Sequence, residues 1–231
     1  GAALLDLGAE STRPGATPVP AEEERMRLLP VLRAVRAAVR VPIAVDTRKA
    51  AVARAALDAG ADIVNDVSAG CFDPAMLATC AAAGVPVVLM HMQGTPETMQ
   101  RDPRYGDVVA EVRAFLAARA AAAVDAGVAA SAIVVDPGIG FGKTTEHNCS
   151  LLARLDLLAA LGYPVLVGVS RKGFVGVLLG GRPTGERLLG TAAAVAMAVA
   201  GGARIVRVHD VGAMRDVVRV AEAIRGSGRR A

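Results

Sequence analysis

The chain has 231 residues, 53% of them hydrophobic and only 3% aromatic, and a net charge of +4. That length supports one large core in a single domain. So mild a positive charge, with so few aromatics to stack bases, points to anionic small molecules as ligands and away from nucleic acid.

The first residues, Ala2 to Asp6, read as a strand already in progress with no initiator methionine, so a further unit is expected upstream. From there short apolar runs, centred on 4–5, 43–45, 63–64, 87–90, 133–135, 165–167 and 205–208, alternate with Ala/Leu/Arg-rich segments of helical period. The helical segments span 22–39, 49–59, 74–83, 107–126, 149–161, 186–200 and 211–224. Gly60, Gly84, Gly127 and Gly162 stand at helix exits, where a left-handed residue ends a helix. Strands without polar alternation, each followed by a helix, form a parallel sheet buried on both faces.

About seven βα units are visible, against the eight of a TIM (β/α)8 barrel. The alternative, a doubly wound sheet, gathers its ligand groups at one switch point. Here nearly every strand ends in a polar residue: Asp6, Asp46, Asn65, His91, Asp136, Ser170, and the pair Arg207 and His209. That distribution favours an α/β barrel lacking its first βα unit, with residues 1–231 as one domain incomplete at the N-terminus. Loops at 13–21, 92–106 and 172–185 are rich in Gly, Pro and Thr, as lid or substrate loops are. The final GSGRRA reads as a frayed tail. The apolar stretch 191–203 is short and broken by glycines, so no membrane span is expected. No signal peptide opens the chain. Cys71, Cys80 and Cys149 form no CxxC pair, which suits a reducing cytoplasm; Cys149 reads as a buried helix-start cysteine rather than a metal ligand with His147.

The run DPGIGFGK, Asp136 to Lys143, follows a strand directly. Its GFGKT portion suggests a phosphate loop, but Pro137 stands where that motif needs a glycine. What remains is a strand ending in a carboxylate before a glycine-rich turn. Asp46, Asn65 and Asp136 end three different strands on one rim. A buried carboxylate can accept two parallel N–H bonds from an amino-pyrimidinone edge, and an asparagine offers a donor and an acceptor beside it. Any one of the three alone could be a helix cap; together they describe a heterocycle pocket. Phe141 and Phe174 lie in glycine-containing loops and are expected to touch ligand, with capping of the core as the alternative. Arg207 and His209, two apart on a strand, share a face and can both donate to an anion. Ser170 and Lys172 are expected to enter the pocket, whereas Arg171 reads as a solvated charge. The stretch Glu10 to Gly15 adds hydroxyls and a further cation. His91 and His147 read as structural or rim groups.

Taken together, DLGAESTRPGA, VDTRK, ND, HMQGTPETMQ, DPGIGFGKT, EHN, SRKGFVG, ERLLGTAAA and RVHDV resemble the dihydropteroate synthases, over residues 1 to about 225. Two departures stand out. Ala9 occupies a position where the family usually has a second glycine, and the family's first strand and following loop, with an asparagine that helps bind magnesium and pyrophosphate, are absent. The resemblance implies condensation of 6-hydroxymethyl-7,8-dihydropterin diphosphate with 4-aminobenzoate, with Mg²⁺ as cofactor. It implies pterin contacts from Asp46, Asn65, Met92, Asp136, Phe141, Lys172 and Arg207, with Asp46, Asp136 and Lys172 catalytic. It implies diphosphate contacts from Arg207 and His209. The aminobenzoate would lie near Thr12, Arg13, Pro14, Phe141 and Ser170. A developing pterin methylene cation would be stabilised by fixed carboxylates, with no enzyme nucleophile. The resemblance also implies a cytoplasmic homodimer built through later helices, around 149–200, and sulfonamide recognition. Residues 1–231 alone are expected to show little synthase activity. The alternatives are the pterin-binding domain of a methyltetrahydrofolate methyltransferase and a non-catalytic pterin-binding paralogue.

Overall fold

The computed structural model describes residues 1–227. Seven short strands alternate with helices: β1 Leu5–Gly8, β2 Ile43–Asp46, β3 Ile63–Asp66, β4 Val87–Met90, β5 Ile133–Asp136, β6 Leu166–Val167 and β7 Ile205–Val206. The long helices are α1 Ala21–Ala38, α2 Ala50–Asp58, α3 Met76–Ala83, α4 Val108–Asp125, α8 Leu188–Ala200 and α9 Val211–Ser227. Between β5 and α8 lie three shorter ones, α5 Thr145–Ala153, α6 Leu155–Ala159 and α7 Gly173–Leu178.

Every pairing is parallel and joins consecutive strands. Strands β1 to β5 form one sheet and β6–β7 a second, linked by a parallel bridge between Val135 and Val165. This sequential parallel order is that of a (β/α) barrel, as expected from the alternating pattern. Among the described residues no backbone ladder joins β7 to β1. A side-chain pair spans them instead: Arg207, just past β7, meets Asp6 of β1 at 2.5 Å.

Period-two alternation divides the strand residues into two populations. Ile43, Val45, Val64, Leu89, Val135 and Val167 are buried in a cluster shared with Leu32, Val52, Leu116 and Leu155 of the helices. The intervening Ala44, Val88, Met90 and Leu166 are buried outside that cluster, on the opposite, inner face. The polar residues Asp46, Asn65 and Asp136 carry the parity of that inner face, so all three project into the barrel rather than toward a helix. Gly60, Gly84, Gly127 and Gly162 all have positive φ at helix exits.

Four local differences from the sequence reading have physical causes. The segment expected as one helix over 149–161 starts earlier, because Thr144 and His147 form a reciprocal capping box at the start of α5, and it breaks at Arg154. Cys149 is therefore inside α5, not at its start, and is half-buried. The loop expected over 172–185 contains α7, whose apolar residues bury Phe174 and Val175 in the core; Phe174 caps the core and is not a pocket residue. Strand β7 ends at Val206, so Arg207 and His209 follow it rather than lie on it. Of the tail, Gly226 and Ser227 end α9, and the rest of the expected frayed segment lies outside the described residues.

Candidate active site

The strand ends converge on a set of buried carboxylates. Asp46 at the end of β2 and Asn65 in β3 are paired in register, and Asp6 lies one inward-facing position below, opposite Ala44. Asn65 Nδ2 donates to Asp6 Oδ2 at 3.2 Å. The Arg207 guanidinium reaches both acids, Nε at 2.5 Å from Asp6 and a terminal nitrogen at 3.4 Å from Asp46. One oxygen on each carboxylate, Asp6 Oδ1 and Asp46 Oδ1, is buried with no partner.

Such unpaired oxygens are costly, and the cost is visible in the titration of the acids. Burial, with the neighbouring Asp6 charge adding to it and Arg207 opposing, pushes the Asp46 carboxyl up to about 7. Burial raises Asp6 as well, against Arg207 and the Asn65 hydrogen bond. Near neutral pH Asp46 therefore holds, in part, a proton that an ordinary carboxyl would have released, and Asp6 ionises less readily than an ordinary carboxyl. Each is ready for N–H donors from a ligand.

Across the interior, Asp136 ends β5 and accepts the Gly138 N–H at 2.7 Å. Burial raises its carboxyl; that hydrogen bond and the charges of Lys172, Lys143 and Arg207 oppose the shift. The glycines that follow have positive φ, 66° at Gly138, 82° at Gly140 and 61° at Gly142. At Gly138 a Cβ would lie 1.9 Å from the His91 carbonyl, so only glycine permits the turn to lie on the end of β4. Lys172 reaches over this turn. Its ammonium donates to the Ile139 carbonyl and sits 4.4 Å from the centre of the Phe141 ring. Burial lowers its pKa to about 8.

Around the rim, Ser170 Oγ accepts the His209 N–H at 3.1 Å and lies 2.9 Å from His209 Nδ1. Arg171 is not a free charge: it binds Asp210 through two nitrogens at 3.0 and 2.6 Å, tying the loops after β6 and β7 together. Arg187 donates to the Arg171 and Lys172 carbonyls at 3.0 and 3.3 Å, which fixes the same loop from behind. Met92 is half-buried just beyond β4. Thr12, Arg13 and Pro14 lie in the loop after β1, with Arg13 and Pro14 exposed, and Gly15 N donates to Pro96 O at 2.9 Å across to the loop after β4.

The structure thus brings Asp46, Asn65, Asp136, Phe141, Lys172 and Arg207 to one end of the barrel, with Ser170 and His209 beside them. Three features escaped the sequence reading. Asp6 stood among the strand ends but not among the pocket residues; its inward parity was the available signal. Lys143, read only as part of its motif, is buried. Glu10, Arg48, Lys49 and Glu24 form a buried ionic cluster beneath the loop carrying Thr12 and Arg13, with Arg48 bound to Glu10 at 2.8 Å and Lys49 to Glu24 at 2.5 Å. His147 proves structural, as a cap, and His91 is buried under the glycine turn. Among the described residues no group of three or more His, Cys, Asp or Glu side chains is placed to hold a metal ion.

A parallel (β/α) barrel with carboxylates, an asparagine and cations gathered at its strand ends defines the class: a barrel enzyme with a polar small-molecule site at one end. The profile of the pterin binding enzyme family matches residues 1–209. A dihydropteroate synthase of Synechocystis is 48% identical over 224 residues, which is 97% of this chain and 78% of the relative. The solved structure of Xanthomonas albilineans dihydropteroate synthase with 4-aminobenzoic acid superposes with a TM-score of 0.92 at 48% identity, covering 97% of this chain and 80% of that one. That of the Burkholderia cenocepacia enzyme complexed with 7,8-dihydropteroate gives 0.89 at 48% identity, covering 100% and 84%. The chain belongs to the pterin binding enzyme family, in its dihydropteroate synthase branch, the transferases of folate biosynthesis.

The elevated Asp46 pKa carries a stability consequence. A folded-state pKa above the unfolded value stabilises at low pH, and the contribution is lost as pH rises from about 4 through about 7. In the ligand-free protein Asp46→Asn removes this dependence. Thermal unfolding should show the variant more stable than the parent at about pH 8, by roughly 1–4 kcal/mol, with the gap closing near pH 4. Parallel pH profiles for the two proteins would contradict the assignment.

Proposed function

We propose that this chain joins 6-hydroxymethyl-7,8-dihydropterin diphosphate to 4-aminobenzoate, giving 7,8-dihydropteroate and diphosphate. The observation that carries the residue roles is the pair of buried, unpartnered oxygens on Asp6 and Asp46 beside Asn65. Ligand-free, they wait for donors, and an amino-pyrimidinone edge presents donors in the spacing a carboxylate accepts. In this reading Asp46, Asn65 and Asp136 hold the ring, Lys172 donates an N–H to it, and Phe141 and Met92 wall the pocket. Arg207 leaves its acids in part to stack on the ring and, with His209, to receive the diphosphate.

The chemistry follows from those positions. The bond between the pterin methylene and the diphosphate oxygen breaks, and its electron pair leaves with the diphosphate toward Arg207 and His209. The positive charge left on the methylene is stabilised by Asp46 and Asp136 across a short, low-dielectric gap. The arylamine nitrogen, oriented by Thr12, Arg13, Pro14, Ser170 and Phe141, forms the new C–N bond and then gives up its proton to the departed diphosphate, directly or through water. No protein nucleophile enters. Mg²⁺ belongs to this proposal as a counter-charge that, when bound, would help neutralise the diphosphate as it leaves, beside Arg207 and His209. The cation set at the ends of β6 and β7 suits a diphosphate leaving group better than it suits methyl transfer from a folate. Free Cys71, Cys80 and Cys149 suit a reducing cytoplasm. In this reading the chain forms one domain, because its strands and helices share a single core.

Assaying dihydropteroate formation from the two substrates with Mg²⁺ tests the activity; absence of product would overturn it. The anion roles have a sharper readout. Arg207→Ala and His209→Ala should each weaken the diphosphate-bearing pterin about tenfold or more, and the free hydroxymethyl pterin less, because only the former carries the charge. Equal losses for both ligands would assign these residues to the ring or the fold instead.

A homodimer built through the later helices is part of the same proposal. Val177 and Leu178 of α7 and Leu189 and Met197 of α8 are 63%, 60%, 81% and 58% exposed, an apolar set that solvent alone does not favour. Light scattering should give a dimeric mass for the parent and a monomeric mass for Leu189→Glu. A monomeric parent, or a variant that stays dimeric, would rule out this face.

A further inference from the structure

Lys143 ends the Asp136–Lys143 run and has no part in the pocket as described so far. Its residue is 3% exposed. A buried ammonium is tolerated only when its N–H groups find acceptors, and here there is one for each. Nζ lies 2.9 Å from the Phe141 carbonyl, 3.0 Å from His91 Nδ1 and 3.4 Å from the His91 carbonyl.

All three acceptors are neutral. The His91 ring packs edge-on against Phe115 at 4.9 Å, and burial together with the Lys143 charge pulls its pKa down to about 3. Its Nδ1 is therefore an acceptor for the ammonium. The charge of Lys143 consequently looks through space to Asp136, the carboxylate at the other end of the same run, and to no other acid that perturbs it. The same contacts close the glycine turn: a Cβ on Gly142 would lie 2.5 Å from the Gln93 carbonyl, and Tyr105 donates its hydroxyl to the Gly142 carbonyl at 2.7 Å.

We infer that Lys143 is a positioning residue for Asp136: it locks the glycine turn onto the end of β4, and its buried ammonium favours the ionised form of Asp136 that the ring's N–H groups need. Two other cations face Asp136, Lys172 from the loop after β6 and Arg207 after β7, and the Gly138 N–H bonds to it directly. Both of those cations belong to the ligand site: Lys172 leans over Phe141, and Arg207 is half-exposed and divided between Asp6 and Asp46. The hydrogen bonds of Lys143 are all with the protein's own turn and the residue after β4, so its position does not depend on ligand. Facing Lys143 in turn are Asp136, Lys172 and His91.

This inference rests on the pterin reading of the pocket, and the test separates the two. Burial lowers the Lys143 ammonium to about 7, so the affinity of the full chain for 6-hydroxymethylpterin is measured by calorimetry from about pH 5 to about pH 6, where Lys143 carries its proton. Lys143→Met removes the charge at similar volume. Lys143→Gln removes it while keeping two N–H donors under the turn, and gives the same readout should the methionine variant not fold. In both, the acid limb of the affinity profile should move up by about one pH unit, so that affinity near pH 6 falls about tenfold. Lys143→Arg should keep the parental limb. A limb unmoved in the neutral variants, with all three merely less stable, would reduce Lys143 to a structural residue and overturn the inference. A parent that binds no pterin at any pH would overturn the functional reading itself.

Discussion

Two carboxylates, Asp6 and Asp46, share one guanidinium at the end of the barrel, and each keeps a buried oxygen with no partner. Left in water, the same acids would be ionised and fully solvated. Held here they resist ionisation, and burial is the largest cause for both. The fold tolerates that cost because the strands around them are short, largely apolar and sealed on their outer face by helix side chains. Arg207 serves two ends at once. In the ligand-free protein it bridges β7 to β1, where no backbone ladder does among the described residues, and it partly neutralises the acids that a ligand would otherwise have to satisfy.

Support for this arrangement comes from ionic contacts placed behind it rather than in it. Glu10 and Glu24 bind Arg48 and Lys49 in a buried cluster that joins the loop after β1, the loop after β2 and helix α1. Arg48 also stacks 4.3 Å above the ring of Phe72, beyond β3. On the opposite side, Arg171–Asp210 and Arg187 fix the loops that carry Ser170, Lys172 and His209. Beneath the glycine turn, Lys143 and His91 do the same for Asp136 and Phe141. Each flexible strand-end loop is thus held by a charge-assisted contact on its buried side, which leaves the groups that face the pocket free to respond to ligand.

Much of this was legible in the sequence, for physical reasons. Parallel strands buried on both faces read as unbroken apolar runs, so their number, order and polar ends could be taken directly from the chain, and Asp46, Asn65 and Asp136 came with them. The glycines of the DPGIGFGK run announced a tight turn because no other residue allows its backbone. What stayed hidden depends on long-range pairing. Glu10 and Lys49 are 39 positions apart, and Arg207 and Asp46 are 161 apart, so no local pattern announces that either pair is in contact. Arg171 was misread for the same reason, since its partner Asp210 lies one strand away. Phe174 was misread for a different one: the glycines of GFVGVL suggested a loop, yet tertiary burial of Phe174 and Val175 makes that segment α7.

The account turns on acids that keep their protons until a ligand supplies better partners, and proton exchange on binding reads this directly. Calorimetric titration of the protein with 6-hydroxymethylpterin near pH 6.5, repeated in buffers of different ionisation heat, counts the protons exchanged. N–H donors from the ring favour the ionised carboxylate, so Asp46, with its pKa held at about 7, should release its proton as the complex forms. The release predicted is a substantial fraction of one proton, and Asp46→Asn should abolish it. Binding with no exchange, or with net uptake, would contradict the claim that these carboxylates are held in reserve for the ligand.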